Sequence, residues 1–377
     1  MDFPEIEFAN CLENAQKAMA EIGLDALLLT TEADVRYFSG FRTLFWESPT
    51  RPWFLVVPRR GKPIAVIPEI GAALMRSTWL DDVRTWSSPA ALDDGVSLLA
   101  DALQPYAHVG LPMGRETSLR MPLADFQDLR ERLRHHEIVD ATALVRALRM
   151  VKSEREVATI REICAIASNA FAQASRLFQT GQPLSDAFRA FKIELLSRGA
   201  EDVPYLVGGA RQGGYADVIS PPSQTLLQAG DVLMLDTGAT LRGYFCDFDR
   251  NFAFGHASSD VKSAHNILWR ATEAGLATAR PGATAAAVFH AMSAVIGQGC
   301  GDVGRYGHGL GMQLTEPPSL IGWDETVLQE GMVITLEPSM TLSQGRMLVH
   351  EEKIVIRDGA PELLSQRTPS ELPVLIA

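Results

Sequence analysis

Four acids and one histidine in the second half of the chain are the residues best placed to do chemistry: Asp236, Asp247, His308, Glu337 and Glu351. Asp236 ends the apolar run 232–235, and Asp247 follows eleven residues on, across the turn at Leu241, Arg242 and Gly243. Glu337 ends the run VITL, and Glu351 follows fourteen residues later in another apolar stretch. Two strand pairs thus supply two carboxylates each. A carboxylate among apolar strand residues must find partners or give up its charge. If the four converge, each like pair at about 4 Å and an effective dielectric near 20 costs on the order of 4 kcal/mol. Protons or cations must offset that repulsion. His308 stands between the pairs, in Gly307-His308-Gly309-Leu310-Gly311. Its glycine neighbours let backbone approach closely and leave the imidazole accessible. Two divalent cations would neutralise four carboxylates, with a neutral imidazole completing the shell. Oxygen-rich ligation with one nitrogen suits manganese, cobalt, iron or zinc. Such a pair of ions shares a water, lowers its pKa and polarises a carbonyl opposite, which is hydrolysis of an amide-type bond. Any one of these residues alone reads as a strand-end cap or salt-bridge partner; the chemistry rests on five in order.

The whole chain sets bounds. Its 377 residues are long for one core, so two domains are expected. Hydrophobic residues at 46% and charged residues at 21% are ordinary for a folded protein. The formal net charge of -12, with no dense Lys/Arg run, argues against a nucleic-acid partner and fits a site that collects carboxylates for cations. Cys11, Cys164, Cys246 and Cys300 form no CxxC pair, so neither a zinc ribbon nor a disulfide framework is expected. The N-terminus is acidic and lacks an apolar core segment, and no run reaches the roughly 20 apolar residues that span a bilayer. A soluble, cytoplasmic protein without a membrane partner is expected.

Elements must position these residues. Apolar spacing predicts helices over 9–22, 91–104 and 121–134, and strands at Ala26–Leu29, 53–57 and 63–67. Their alternation predicts an α/β domain over 1–148. Ser153 with Glu156 three residues on has capping-box spacing and opens a helix to about residue 178. Further helices are expected over 185–197, 260–279 and 284–297, and strands at 232–235, 244–254, 333–336 and 348–356. The second domain, 149–377, therefore reads as α+β. No internal repeat or low-complexity segment is present.

Several segments resemble the pita-bread metallopeptidases, the family of Xaa-Pro dipeptidase (prolidase), aminopeptidase P, methionine aminopeptidase and the metal-free creatinase. They are LDTGATLRGYFCDFDRNF (235–252), GHGLGMQLTEPP (307–318), GMVITLEPSM (331–340) and VHEEKIVIRDG (349–359). ALRMVKSEREVATIREIC (147–164) resembles the family's linker and first catalytic-domain helix, and IGLDALLLTTEADVRYFSGF (22–41) the N-terminal domain of prolidase and creatinase. The resemblance implies a creatinase/prolidase-like α/β domain followed by a pita-bread catalytic domain. It implies that Asp236 binds one metal, that Asp247 and Glu351 bridge two, and that His308 and Glu337 hold the second. Glu337 would receive a proton from the bridging water. It also implies manganese as the leading metal, a small peptide or amide as substrate, and a homodimer with the active site near the subunit contact.

The departures fall on the substrate side. Thr315 stands where prolidases carry a second histidine, which helps bind the substrate carbonyl and stabilise the tetrahedral intermediate. No histidine occurs over 213–220, where another is usual; Asp217 is the nearest polar match. Val349 replaces an arginine suited to a substrate carboxylate, with Arg346 as the stand-in. Asp249 and Asn251 replace the usual threonines flanking Arg250. Arg51, in the polar loop 46–53, is a further substrate-binding candidate that would reach a partner site. Strand alternation turns Cys246 and His350 away from the metals. Two alternatives are a dimethylsulfoniopropionate-lyase-like reaction and a non-catalytic binding module. The lyase relative carries an extra Asp where this chain has Gly238, and a binding module or a metal-free hydrolase would not retain all five ligands.

Overall fold

The computed structural model describes residues 1–48, 51–297 and 304–376. Pro49 and Thr50 of the polar loop, and Cys300, lie outside the described residues. The chain forms two compact units, Met1–Arg149 and Met150–Ala377. Among the described residues, no helix is long and apolar enough to cross a membrane.

The first unit opens with α1, Glu5–Ile22, which buries Phe8, Leu12, Ala15 and Met19 on one stripe. There follow β1 (Ala26–Leu29), α2 (Glu32–Ser39), β2 (Phe54–Pro58), β3 (Ile64–Pro68), α3 (Ala72–Met75), β4 (Asp82–Trp86), α4 (Val96–Leu103), β5 (His108–Leu111), α5 (Leu123–Arg132), β6 (Glu137–Asp140) and α6 (Thr142–Met150). The strands form one sheet in the order β4-β3-β2-β1-β5-β6. The α/β alternation expected from sequence is present. Strands β4 and β6 carry no continuous apolar run because each lies at a sheet edge, where its residues are only partly covered.

The second unit begins with α7, Glu154–Phe171, closed by the complete Ser153–Glu156 capping box. It stops short of residue 178, and the chain resumes as α8, Ala174–Leu177. On a straight helix, residues seven apart lie about 10 Å from each other. The break lets both Phe171 and Phe178 pack on Phe191 and Phe252. Next come α9 (Leu184–Ser197), β7 (Asp202–Gln212), β8 (Asp231–Leu241), β9 (Tyr244–Phe245), β10 (Phe248–Phe254), α10 (Ser259–Thr278) and α11 (Ala285–Ile296). The chain finishes with β11 (His308–Gly309), β12 (Glu316–Ser319), β13 (Val333–Leu336), β14 (Ser339–Thr341), β15 (Met347–Val349), β16 (Glu352–Val355), β17 (Glu362–Leu363) and β18 (Val374–Leu375). One sheet runs β18-β10-β8-β7 with β9 also on β8; a second runs β12-β11-β13-β16-β17; β14 pairs with β15. Leu268 of α10, Val288 and Met292 of α11, and Ile334 and Ile354 of the second sheet share one core.

Three expectations about strands need correction. Asp236 does not end a strand: β8 continues through Thr237 and Gly238 to Leu241, so Asp236 lies in its middle. The stretch 244–254 is not one strand but breaks at Cys246 and Asp247, and 348–356 breaks at His350 and Glu351. Strand β7, DVPYLVGGARQ, reads in sequence as a broken segment because of Pro204 and two glycines. Its neighbour β8 explains one of them: a Cβ on Gly208 would sit 2.1 Å from the Met234 carbonyl oxygen, so only glycine permits this approach.

Candidate metal centre

The two ladders of the C-terminal strands set the site. β13 pairs with β16, and β14 pairs with β15. Glu337 lies between β13 and β14, and Glu351 between β15 and β16, so each acid sits where the chain passes from one ladder to the other. Asp247 lies at the equivalent gap between β9 and β10, both of which pair with β8. Asp236 projects from β8 itself.

Asp247, His308 and Glu351 each offer a ligand atom, and these atoms all lie within 4.8 Å of one another. All three side chains are buried. His308 Nε2 is 3.4 Å from Asp247 Oδ2. His308 Nδ1 is 2.8 Å from the Gly309 carbonyl oxygen, so Nδ1 carries the proton and Nε2 keeps its lone pair toward the acids. Burial, with Lys353 nearby, holds the imidazole down to about 3, in its neutral, metal-binding form at ordinary pH. Asp236 and Glu337 are half-buried, and their charges act on Asp247 and Glu351. Burial and then the Asp236 charge push Glu337 up to about 8. Asp247 and Glu351 are raised well above the usual carboxylate range, first by burial and then by neighbouring acids. Burial lifts Asp236 to about 6, against the pull of Lys353 and a hydrogen bond from Tyr205. Asp236 Oδ1 and Glu351 Oε1 are buried with no hydrogen-bond donor. Unpaired carboxylate oxygens around an imidazole lone pair are a donor set suited to hard or borderline divalent cations.

Two residues in this environment carry no role in the sequence reading. Tyr205, opposite Gly238 across the β7–β8 ladder, hydrogen-bonds Asp236. Lys353 is 0% exposed, and its Nζ has no hydrogen-bond partner, yet its charge acts on Asp236, Asp247, Glu337 and Glu351. Alternation from Glu351 puts Lys353 on the same face, which is the signal that could have found it. Replacing it tests its action. Lys353→Met keeps the stem and removes the ammonium. Manganese binding is expected to tighten by roughly tenfold, and the chelated variant to melt below wild type near pH 8. Unchanged affinity in a calorimetric titration would show that the ammonium does not act on the centre.

The substrate candidates are distributed more widely. Thr315 is half-buried in the bend before β12. That bend lies against the metal-bearing strands: a Cβ on Gly238 would meet Leu314 Cδ1 at 2.5 Å, and Phe245 donates its backbone N–H to the Gly311 carbonyl. The adjoining Glu316 forms a buried ion pair with Lys152 at 3.0 Å, which pins the bend to the start of the unit. Arg346 lies beside the 213–217 segment, where Tyr215 and Met347 exchange backbone hydrogen bonds; its Nε is buried without a partner. Asp217 is exposed and folds back on its own turn, accepting from the Ile219 and Ser220 backbone N–H groups. It lines a cavity of about 470 Å³ with Tyr215, Arg211 and Ser220, a space that none of the five metal-ligand candidates borders. Arg51 lies in the first unit, in a loop held by Arg120, whose guanidinium donates to the carbonyls of Trp46, Ser48 and Arg51. Cys246 directs its Sγ to the Thr237 carbonyl, and the His350 ring contacts Thr272 Oγ1 at 3.0 Å and packs on His265.

Comparison with known proteins gives the class. Residues 158–358 match the model of metallopeptidase family M24, and residues 12–151 match that of the creatinase/prolidase N-terminal domain. The chain belongs to metallopeptidase family M24, and it is a peptidase of the metal-dependent class with a creatinase-type domain ahead of a pita-bread catalytic domain. The probable dipeptidase PepE of Mycobacterium tuberculosis is 30% identical over 379 aligned residues, covering 98% of this chain and 96% of that one. The Xaa-Pro dipeptidase of Pyrococcus horikoshii is 28% identical, covering 92% and 94%. The crystal structure of dipeptidase PepE from Mycobacterium ulcerans matches with a TM-score of 0.86 at 28% identity, over 100% of both chains. The prolidase of Pyrococcus horikoshii OT3, at 21% identity, shares the fold with a TM-score of 0.83 over 95% and 99%.

Proposed function

We propose that this peptidase is a dinuclear, Xaa-Pro dipeptidase-like hydrolase of a dipeptide or small amide, with manganese as the leading metal. The observation that carries the reading is the convergence of Asp247, His308 and Glu351 within 4.8 Å. Asp236 would hold one cation, Asp247 and Glu351 both, and His308 and Glu337 the other. Cations bound there supply Lewis acidity and a lowered pKa for water. Glu337, half-buried and ionised once cations are bound, is the group to receive a proton from water and deliver it to the leaving amine. Thr315, Arg346, Asp217 and Arg51 are the substrate-contact candidates, in a cytoplasmic homodimer. The names of the relatives support dipeptide substrates. The lyase alternative loses support at Gly238, which stands where that relative carries its extra Asp.

Chelated protein reloaded with Mn²⁺ or Co²⁺ and offered a panel of prolyl and non-prolyl dipeptides tests the proposal. Metal-dependent turnover of at least one dipeptide is expected. No hydrolysis of any member at full metal occupancy rejects it.

A further inference from the structure

Asp249 takes no part in the scheme above, yet it lies directly opposite Asp236 in the β8–β10 ladder. Opposed residues of an antiparallel pair project from the same face, with Cβ atoms about 5 Å apart. Asp249 is 2% exposed. Its Oδ2 accepts a hydrogen bond from Asn251 Nδ2 at 2.6 Å, while Oδ1 is buried and accepts none. Asn251 is itself fixed: Nδ2 also donates to the Val349 carbonyl at 2.8 Å, and Oδ1 accepts from the Tyr215 hydroxyl at 3.2 Å. The two residues that replace the usual threonines therefore form one device, in which the amide grips one carboxylate oxygen and leaves the other buried and unpaired, on the sheet face shared with Asp236. Arg250, between them in sequence, favours the Asp249 charge at a distance but sends its donors to acceptors other than the Asp249 carboxylate. Its guanidinium donates to the carbonyls of Asp249, Glu351 and Gln366 and to the Glu352 carboxylate.

Asp236 likewise keeps Oδ1 buried and unpaired. Like charges directly opposite one another destabilise a ladder unless something positive lies between them. The charges around the centre point to a cation. Asp249 adds a fifth carboxylate, and the buried Lys353 ammonium returns one positive charge. The net demand is again that of four carboxylates, which two divalent ions meet.

We infer that Asp249 is a further metal ligand of this chain, giving Oδ1 to the cation held by Asp236, with Lys353 balancing the added charge. This inference rests on the dinuclear reading above. Full-length chelated protein is titrated with Mn²⁺, following the free-ion electron paramagnetic resonance signal, for wild type, Asp249→Asn and Asp249→Thr. Two sites are expected in wild type, with one weakened at least about tenfold in each variant. An anomalous difference map from manganese-loaded wild-type crystals, which does not depend on how the variants fold, is expected to show Asp249 Oδ1 in the coordination shell. Two manganese ions in wild type with Oδ1 outside the shell, or with both variants unchanged, overturns the role of Asp249 alone. No manganese uptake by wild type overturns the dinuclear reading and this inference with it.

Discussion

Glu337→Gln is expected to lower kcat by about 10²- to 10⁴-fold, the usual worth of a positioned proton acceptor. The substitution is isosteric, and the backbone of Glu337 is held by its N–H donating to the Tyr306 carbonyl at 3.0 Å, so the strand ending should persist. What changes is the capacity to accept a proton. Burial and the Asp236 charge push the Glu337 carboxyl up to about 8 in the metal-free protein, and bound cations would draw it back toward a carboxylate able to accept a proton. Because Glu337 is also a proposed ligand, metal content must be measured by mass spectrometry beside the kinetics. A loss in kcat at full metal content, with KM little changed, is the expected pattern. An unchanged kcat at full occupancy removes Glu337 from the proton path.

The second large effect concerns stability. Chelated protein is expected to lose stability between about pH 6.5 and pH 8.5, and Mn²⁺ to restore more of it at the upper end. The sign follows from proton counts. A carboxyl whose folded pKa is raised binds more protons folded than unfolded, so its contribution is complete below the unfolded value and lost as pH rises through the folded one. Glu337, moved from 4.5 to about 8, titrates within this window. It alone accounts for about 2 kcal/mol there, or about 4–8 °C in Tm for a unit of this size. Asp247, Asp249 and Glu351 are raised well above their usual range by burial and act in the same direction. His265, His308 and His350, held low by burial, act the opposite way, but only below their ordinary 6.5, outside the window. Manganese at a hundredfold excess over its Kd adds about 2.7 kcal/mol per site. Thermal unfolding with and without Mn²⁺ at both ends of the window measures this. Equal melting temperatures of the chelated protein across it would contradict the clustering of acids.

The parts legible in sequence are those that local chemistry dictates. Ser153 and Glu156 announce the start of α7 because a capping box is contained in four residues. Val333–Leu336 reads as a strand because Val, Ile and Thr are β-branched and three of its four residues are apolar. What stayed hidden depends on neighbours. Asp236, Thr237 and Gly238 look like the end of a strand, yet pairing with β7 and β10 on both sides carries β8 through them. Strand β7 itself is disguised by Gly208, whose requirement appears only when the Met234 carbonyl is in place. The interruptions at Asp247 and Glu351 cannot be seen because apolar residues continue on both sides. Lys353 would ordinarily be read as solvent-facing; it is buried because the 362–365 segment covers its strand, with Ser365 Oγ accepting from the Lys353 N–H.

The passage of two adjacent chain segments between ladders, at Glu337 and at Glu351, makes the pair act as a caliper. Both carboxylates ride on the crease where the β13–β16 ribbon meets the β14–β15 ribbon. His350, beside Glu351, donates its N–H to the carbonyl of Pro338, beside Glu337, at 3.1 Å, so the backbone sets the gap between the two acids. A cation too large for that gap would have to be met by tilting one ribbon against the other. Crystals loaded with magnesium, manganese and calcium should differ in the inclination of β14–β15 while the β13–β16 ribbon superposes.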